Sequence, residues 1–156
     1  MRSMLRVVTP GIVAVVSVAR LCAQLGDPLI GTWELNLAKS TYGSGPSPTK
    51  QTRTYEVVGQ GGVKGTTKGV DADGKPTLSQ YTANYDGKDY RLTGVQAADM
   101  ISLKRVDQFT SEYILKVAGK VVSTSRRAIS KDGKTMTITT TDAGTKTRNV
   151  LVFDKR

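Results

Sequence analysis

Between residues 109 and 117 the chain alternates: Phe109, Ser111, Tyr113, Leu115 and Val117 share one parity, and Thr110, Glu112 and Lys116 the other. A period of two sends successive side chains to opposite faces of a strand, so this segment predicts a strand with one face on a core and the other on water. Segments rich in Thr, Val, Tyr and Ile recur from residue 51 to the end, and no apolar 3.6-residue period survives past the first two dozen positions. The pattern predicts strands over 31–37, 51–58, 63–71, 76–85, 88–93, 100–106, 109–117, 121–130, 135–141 and 146–154. Only 94–99, with its Ala97-Ala98 pair, has the composition for a turn of helix.

Three triplets punctuate these segments: Asp73-Gly74-Lys75, Asp86-Gly87-Lys88 and Asp132-Gly133-Lys134. An Asp-Gly pair supplies the positive backbone torsions of a tight hairpin turn, so each triplet predicts a strand folding back on its neighbour. Consecutive short strands joined this way predict an all-β chain, with residues 24–156 forming a single antiparallel up-and-down barrel of about eight to ten strands. Closure removes the sheet edges that would otherwise pair with other chains. The Ser/Gly/Pro segment at 40–48 suits no regular element.

The N-terminus follows another logic. Arg2 and Arg6 precede an apolar stretch and a small-residue site at Ala23, the layout of a secretory signal peptide over residues 1–23. The stretch is shorter than the roughly 20 apolar residues that span a bilayer. Cleavage near Ala23 predicts a secreted or periplasmic chain without its one cysteine, Cys22, and hence without disulfides. The rival expectation is a lipoprotein modified at Cys22, against which the flanking Arg20 and Leu21 argue. Removing Arg2, Arg6 and Arg20 from the formal charge of +10 leaves +7. That balance favours acidic partners such as an anionic envelope surface, although no run of basic residues exceeds two.

Gly31-Thr32-Trp33 near the start of the first strand resembles the Gly-x-Trp signature of the calycins, the lipocalin and fatty-acid-binding superfamily. The last third, with Arg126-Arg127, Asp132-Gly133-Lys134 and the closing Val152-Phe153-Asp154-Lys155-Arg156, is similar to the C-terminal strands of fatty-acid-binding proteins. The opening Gly-Thr-Trp-x-Leu-Asn-x-x-Lys-Ser also resembles small exported bacterial lipocalin-like proteins. The resemblance implies a lipocalin-like barrel in which Trp33 plugs one end, its indole N–H on a carbonyl, covered by a late basic residue for which Arg127 and Arg148 are candidates. It also implies a departure: the Arg and Tyr that hold a fatty-acid carboxylate on the last strand correspond here to Leu151 and Phe153, and 41–48 stands where the helical lid would be.

The chemistry-bearing residues exclude more than they offer. The chain has no histidine, which removes Ser-His and Cys-His nucleophile systems and His-based zinc sites. No acid, base and nucleophile set assembles, so no enzyme, catalytic residue, metal site or cofactor is expected. Asp71-Ala72-Asp73-Gly74 begins like a calcium loop, but Lys75 and Thr82 stand at ligand positions. The phosphate-loop match at 128–135 runs into a strand rather than the helix that would bind phosphate, and Ser47-Pro48-Thr49-Lys50 is a chance match. Tyr81, Tyr85 and Tyr90 beside Lys88 and Arg91 are too sparse a set for nucleic-acid stacking.

Two functions stay open. One is an exported, non-enzymatic binding protein holding a small apolar or anionic amphipathic ligand inside the barrel. The other is a structural or interaction protein of the bacterial cell envelope, with a filled core and a basic surface. By parity Ile101, Leu103 and Arg105 form an inward stripe beside Tyr113, and Arg127 shares parity with Ile129. Arg105 either lies at its strand end beside Asp107, or anchors an anionic head together with Tyr113 and Arg127.

Overall fold

The computed structural model describes residues 26–43 and 47–156; the expected signal peptide, its cleavage site and Cys22 lie outside them. Ten strands follow in chain order: β1 Gly31–Leu35, β2 Lys50–Val58, β3 Gly62–Val70, β4 Pro76–Ala83, β5 Asp86–Thr93, β6 Met100–Arg105, β7 Thr110–Val117, β8 Lys120–Ile129, β9 Thr135–Asp142 and β10 Arg148–Lys155. Each is antiparallel to its sequence neighbour, and β1 pairs with both β2 and β10, closing an up-and-down barrel. The alternation read from the sequence becomes its two faces. Tyr55, Tyr113, Met136, Ile138 and Phe153 are buried inside, while Thr- and charge-bearing positions between them face out.

One end is plugged. Leu29 and Trp33 are fully buried, the Trp33 Nε1–H donates to the Leu29 carbonyl at 2.8 Å, and Phe153, Met136 and Ile129 pack into the same hydrophobic cluster. A Trp in this position fills a barrel end while its one polar atom is satisfied. The cation over its ring is Lys155, whose Nζ lies 5.0 Å from the ring centroid and donates to the Pro28 carbonyl at 3.0 Å. This corrects the expectation of Arg127 or Arg148. Lys155 is the register partner of Trp33 across β1 and β10, so adjacent strands bring the pair together.

Three local features differ from the pattern-based expectation. Residues 94–99 make a turn without helix, and the one helical turn among the described residues, a 3-10 element at Leu37–Lys39, follows β1 instead. Asn36 ends the strand there by accepting a hydrogen bond from the Lys39 N–H at 3.1 Å. Asp86-Gly87-Lys88 lies inside β5, where the register to β6 slips between Asp86 and Asp89. Gly87, at φ +76°, serves that irregularity rather than a separate turn. The other two triplets do join β3 to β4 and β8 to β9.

The wall is thinnest between β4 and β5. These strands are in register only at Gln80–Thr93 and Tyr81–Leu92, whereas β3 and β4 run in register from Val63–Ala83 to Val70–Pro76.

Candidate functional site

Above the plug the barrel encloses a cavity of about 190 Å3, walled by Leu92, Val95, Ile101 and Leu115 on one side and by Arg53, Tyr55, Tyr81, Tyr113 and Arg127 on the other. Pairing explains how these meet. Tyr55 on β2 stands opposite Gly65 on β3, and Gly65 opposite Tyr81 on β4. A Cβ on Gly65 would fall 2.5 Å from the Tyr81 ring and 2.8 Å from its hydroxyl, so the missing side chain is the space in which that ring lies.

Arg127 is 2% exposed. Its Nε–H donates to Ser111 Oγ at 3.0 Å and an Nη2–H to Tyr85 Oη at 3.3 Å, and its guanidinium lies 4.8 Å from the Tyr55 centroid and 5.8 Å from that of Tyr113. Arg53, one rung nearer the open end, donates from Nε to Gln51 Oε1 at 3.0 Å and lies 5.1 Å from the Phe153 centroid. Burial disfavours the charge on both guanidiniums, the surrounding phenol oxygens favour it, and both arginines stay charged. Burial alone would push the Tyr55 hydroxyl up; Arg127 and Arg53 reverse this and hold it below the ordinary phenol range. Burial does win at Tyr81, where Arg127 is too weak a counterweight and the hydroxyl is pushed well above that range. None of the residues lining the cavity is a carboxylate. Two cations therefore sit inside the barrel balanced by neutral hydroxyls, an amide and aromatic faces.

Of the residues singled out from the sequence, Arg127 and Tyr113 line this cavity together. Arg105 does not. Its partner is Asp27 rather than the adjacent Asp107, and its guanidinium stacks 4.0 Å from the Tyr85 centroid at the plugged end. Asp107 instead accepts the Phe109 backbone N–H at 2.8 Å. The residues missed are Arg53, Tyr55 and Tyr81. The only signal for Arg53 was its shared parity with Tyr55 in a Thr-rich strand.

A larger hollow of about 450 Å3 lies against the sheet of β6 to β9, around Ser102, Ile114, Thr124 and Thr139. Its charged rim includes Glu112 and Arg126, which pair with each other at 3.1 Å. Lys104 and Arg126 are both exposed there, so water solvates their charges, unlike that of Arg127 in the interior.

No family model matches the chain, and no curated protein sequence does. Among solved structures it is similar to the fluorescent protein UnaG. The wild type shows 13% identity and a TM-score of 0.57 over 81% of this chain and 96% of that one. A point mutant of UnaG shows 14% identity and a TM-score of 0.60 over 83% and 96%. The tryptamine complex of the amine binding protein of Rhodnius prolixus also matches, at 11% identity and a TM-score of 0.49, over 84% of this chain and 65% of that one. The fold is that of the lipocalin-like calycin barrels.

Proposed function

We propose that this barrel binds a small organic anion, with the charged group among Arg127, Arg53, Tyr55 and Tyr113 and the apolar part against Leu92, Val95, Ile101 and Leu115. The observation that carries this reading is the pair of interior guanidiniums in a cavity without a carboxylate. A buried cation without a counter-charge costs several kcal/mol of lost hydration, which an incoming anion would offset. The size of the cavity limits the guest. About 190 Å3 is below the roughly 300 to 1,000 Å3 of drug-sized pockets and holds on the order of six waters. A short-chain or single-ring acid fits this volume; a long-chain fatty acid does not. The positions that would hold a fatty-acid head on the last strand, Leu151 and Phe153, are apolar, and the cations come from β2 and β8 instead. Export, expected from residues 1–23, enters this proposal as the place where the guest would be met.

Calorimetric titration with straight-chain alkanoates of four to eight carbons, and with their primary amides, tests the reading. One or more of the acids should bind saturably. Its amide, which has no charge to pair, should bind at least about 10-fold more weakly, the scale of a charge-assisted hydrogen bond. Absence of saturable binding, or equal affinity for acid and amide, would overturn it.

A further inference from the structure

Across β6, β7 and β8 one rung of the barrel runs Arg105, Ser111, Arg127, each the register partner of the next. The pairing sets two arginines in one layer with a serine between them. Their partners differ. Arg105 donates from both Nη groups to the two carboxylate oxygens of Asp27. Asp27 is itself fixed, because its Oδ1 also accepts the Leu29 backbone N–H at 3.0 Å and Leu29 is fully buried in the plug. Arg127 takes neutral oxygens instead, its Nε–H donating to Ser111 Oγ at 3.0 Å.

Tyr85 joins the two cations. Its ring face lies 4.0 Å from the Arg105 guanidinium, and its hydroxyl accepts an Nη2–H of Arg127 at 3.3 Å. Arg127 lines the cavity, whereas Tyr85 and Ser111 do not, so both of these hydrogen bonds reach the guanidinium from behind the surface that a guest would meet. Acceptors on Nε and Nη2 together fix the plane of a guanidinium, while a single one leaves it free to turn. A tyrosine suits this post where an acid would not. Burial raises the Tyr85 hydroxyl above the ordinary phenol range, with Arg127 and Arg105 opposing, so it is neutral wherever a carboxylic acid is ionised. A carboxylate in its place would pair with Arg127 and take the charge that an anion needs.

We propose that Tyr85 is a positioning residue for the anion site, holding the Arg127 guanidinium in the orientation that receives the head group while Arg105, anchored by Asp27, clamps the tyrosine ring. The proposal rests on the anion-binding reading above and adds the machinery that prepares its most buried cation. The one acid near this layer is spent on Arg105, and a neutral phenol stands between the compensated cation and the uncompensated one.

The test uses the alkanoate that binds the parent most tightly, its primary amide, and the variant Tyr85→Phe, which keeps the ring under Arg105 and removes only the hydroxyl. Acid affinity should fall about 3- to 10-fold, the range of one net hydrogen bond, while amide affinity stays within about 2-fold. In the Arg127→Met background the same change should shift acid affinity by less than about 2-fold, because Tyr85 acts through Arg127. A lowered Tm with an unchanged ratio of acid to amide affinity would make Tyr85 a structural residue and overturn the proposal, as would tighter acid binding or an undiminished loss in the Arg127→Met background. NMR of the ligand-free parent gives a readout that needs no variant of Tyr85. The Arg127 Nη nitrogens, identified by their absence in Arg127→Met, should give separate resonances because rotation about Nε–Cζ is restrained; a single averaged resonance would show that the guanidinium is not held and overturn the role of Tyr85 while leaving the anion site standing. Failure of every acid to bind the parent overturns the anion site, and the positioning role with it.

Discussion

Replacing Arg127 by Met separates a binding role from a structural one, because the two predict opposite signs. In the free protein the guanidinium makes a hydrogen bond at 3.0 Å to Ser111, a longer one at 3.3 Å to Tyr85, and ring contacts with Tyr55 and Tyr113. Charged hydrogen bonds contribute about 1.5 to 3 kcal/mol each, with the longer one at the low end, and a buried cation–π contact about 2 kcal/mol or less. Against this stands the desolvation of a side chain only 2% exposed, several kcal/mol with no acid lining the cavity to compensate. The two sides nearly cancel. Met fills most of the same volume, and the Ser111 and Tyr85 hydroxyls can rotate to other acceptors. Urea unfolding should therefore place Arg127→Met within about 1.5 kcal/mol of the parent, or above it. Affinity for the bound acid should fall by about 1.5 to 3 kcal/mol, roughly 10- to 150-fold, since the anion loses its buried donor. Loss of more than about 3 kcal/mol of stability together with unchanged affinity would refute the reasoning and make Arg127 a structural strut.

Gly65→Ala drives a methyl into the Tyr81 ring and should cost about 1 to 3 kcal/mol in urea unfolding, with binding lost as the ring swings into the cavity; an unchanged stability would show that Tyr81 lies elsewhere. Lys155→Met removes the cation over Trp33 and the bond to the Pro28 carbonyl, and should lower stability by about 1 to 2 kcal/mol and alter tryptophan emission without affecting acid binding. The Tyr55 hydroxyl, held below its ordinary value of 10.0, should ionise first as pH rises, and its charge should weaken acid binding below pH 10. Between its folded and unfolded pKa values the unfolded chain holds more protons, so ligand-free stability should rise with pH in that window; absorbance at the phenolate band, with no tyrosine titrating below 10, would overturn this. Intact-mass measurement on protein from its native host should give a chain starting near Gln24, and a diacylated Cys22 would establish a lipoprotein instead.

The architecture was legible because each strand states itself locally. A two-residue period, β-branched residues and Asp-Gly turns act over short stretches of chain, and none of them competes with a helical pattern. The ten expected segments match the ten strands, with their ends displaced by no more than a residue or two. The plug was legible through a resemblance instead: Gly31-Thr32-Trp33 is similar to the Gly-x-Trp signature of barrels in which that Trp fills one end. Its covering cation was not, because Lys155 reaches Trp33 through the pairing of the first strand with the last. Register between strands at opposite ends of the chain leaves no mark in either strand alone.

The same limit explains the cations. In Gln51-Thr52-Arg53-Thr54-Tyr55-Glu56 polar residues occupy both parities, so the pattern does not say which face is inside. Closure of the barrel decides it, by setting Arg53 opposite Trp33 on one side and Thr67 on the other. Arg105 shows the converse. Its stripe, Ile101 and Leu103, correctly marks the inward face, yet a side chain that long at the end of its strand can turn to whatever carboxylate the topology supplies. The chain segment leading into β1 supplies Asp27. An interior arginine with an acid in reach becomes part of the plug, and one without an acid is left with its charge unpaired by a carboxylate. The difference between Arg105 and Arg127 lies in their neighbours across the barrel, not in their own segments.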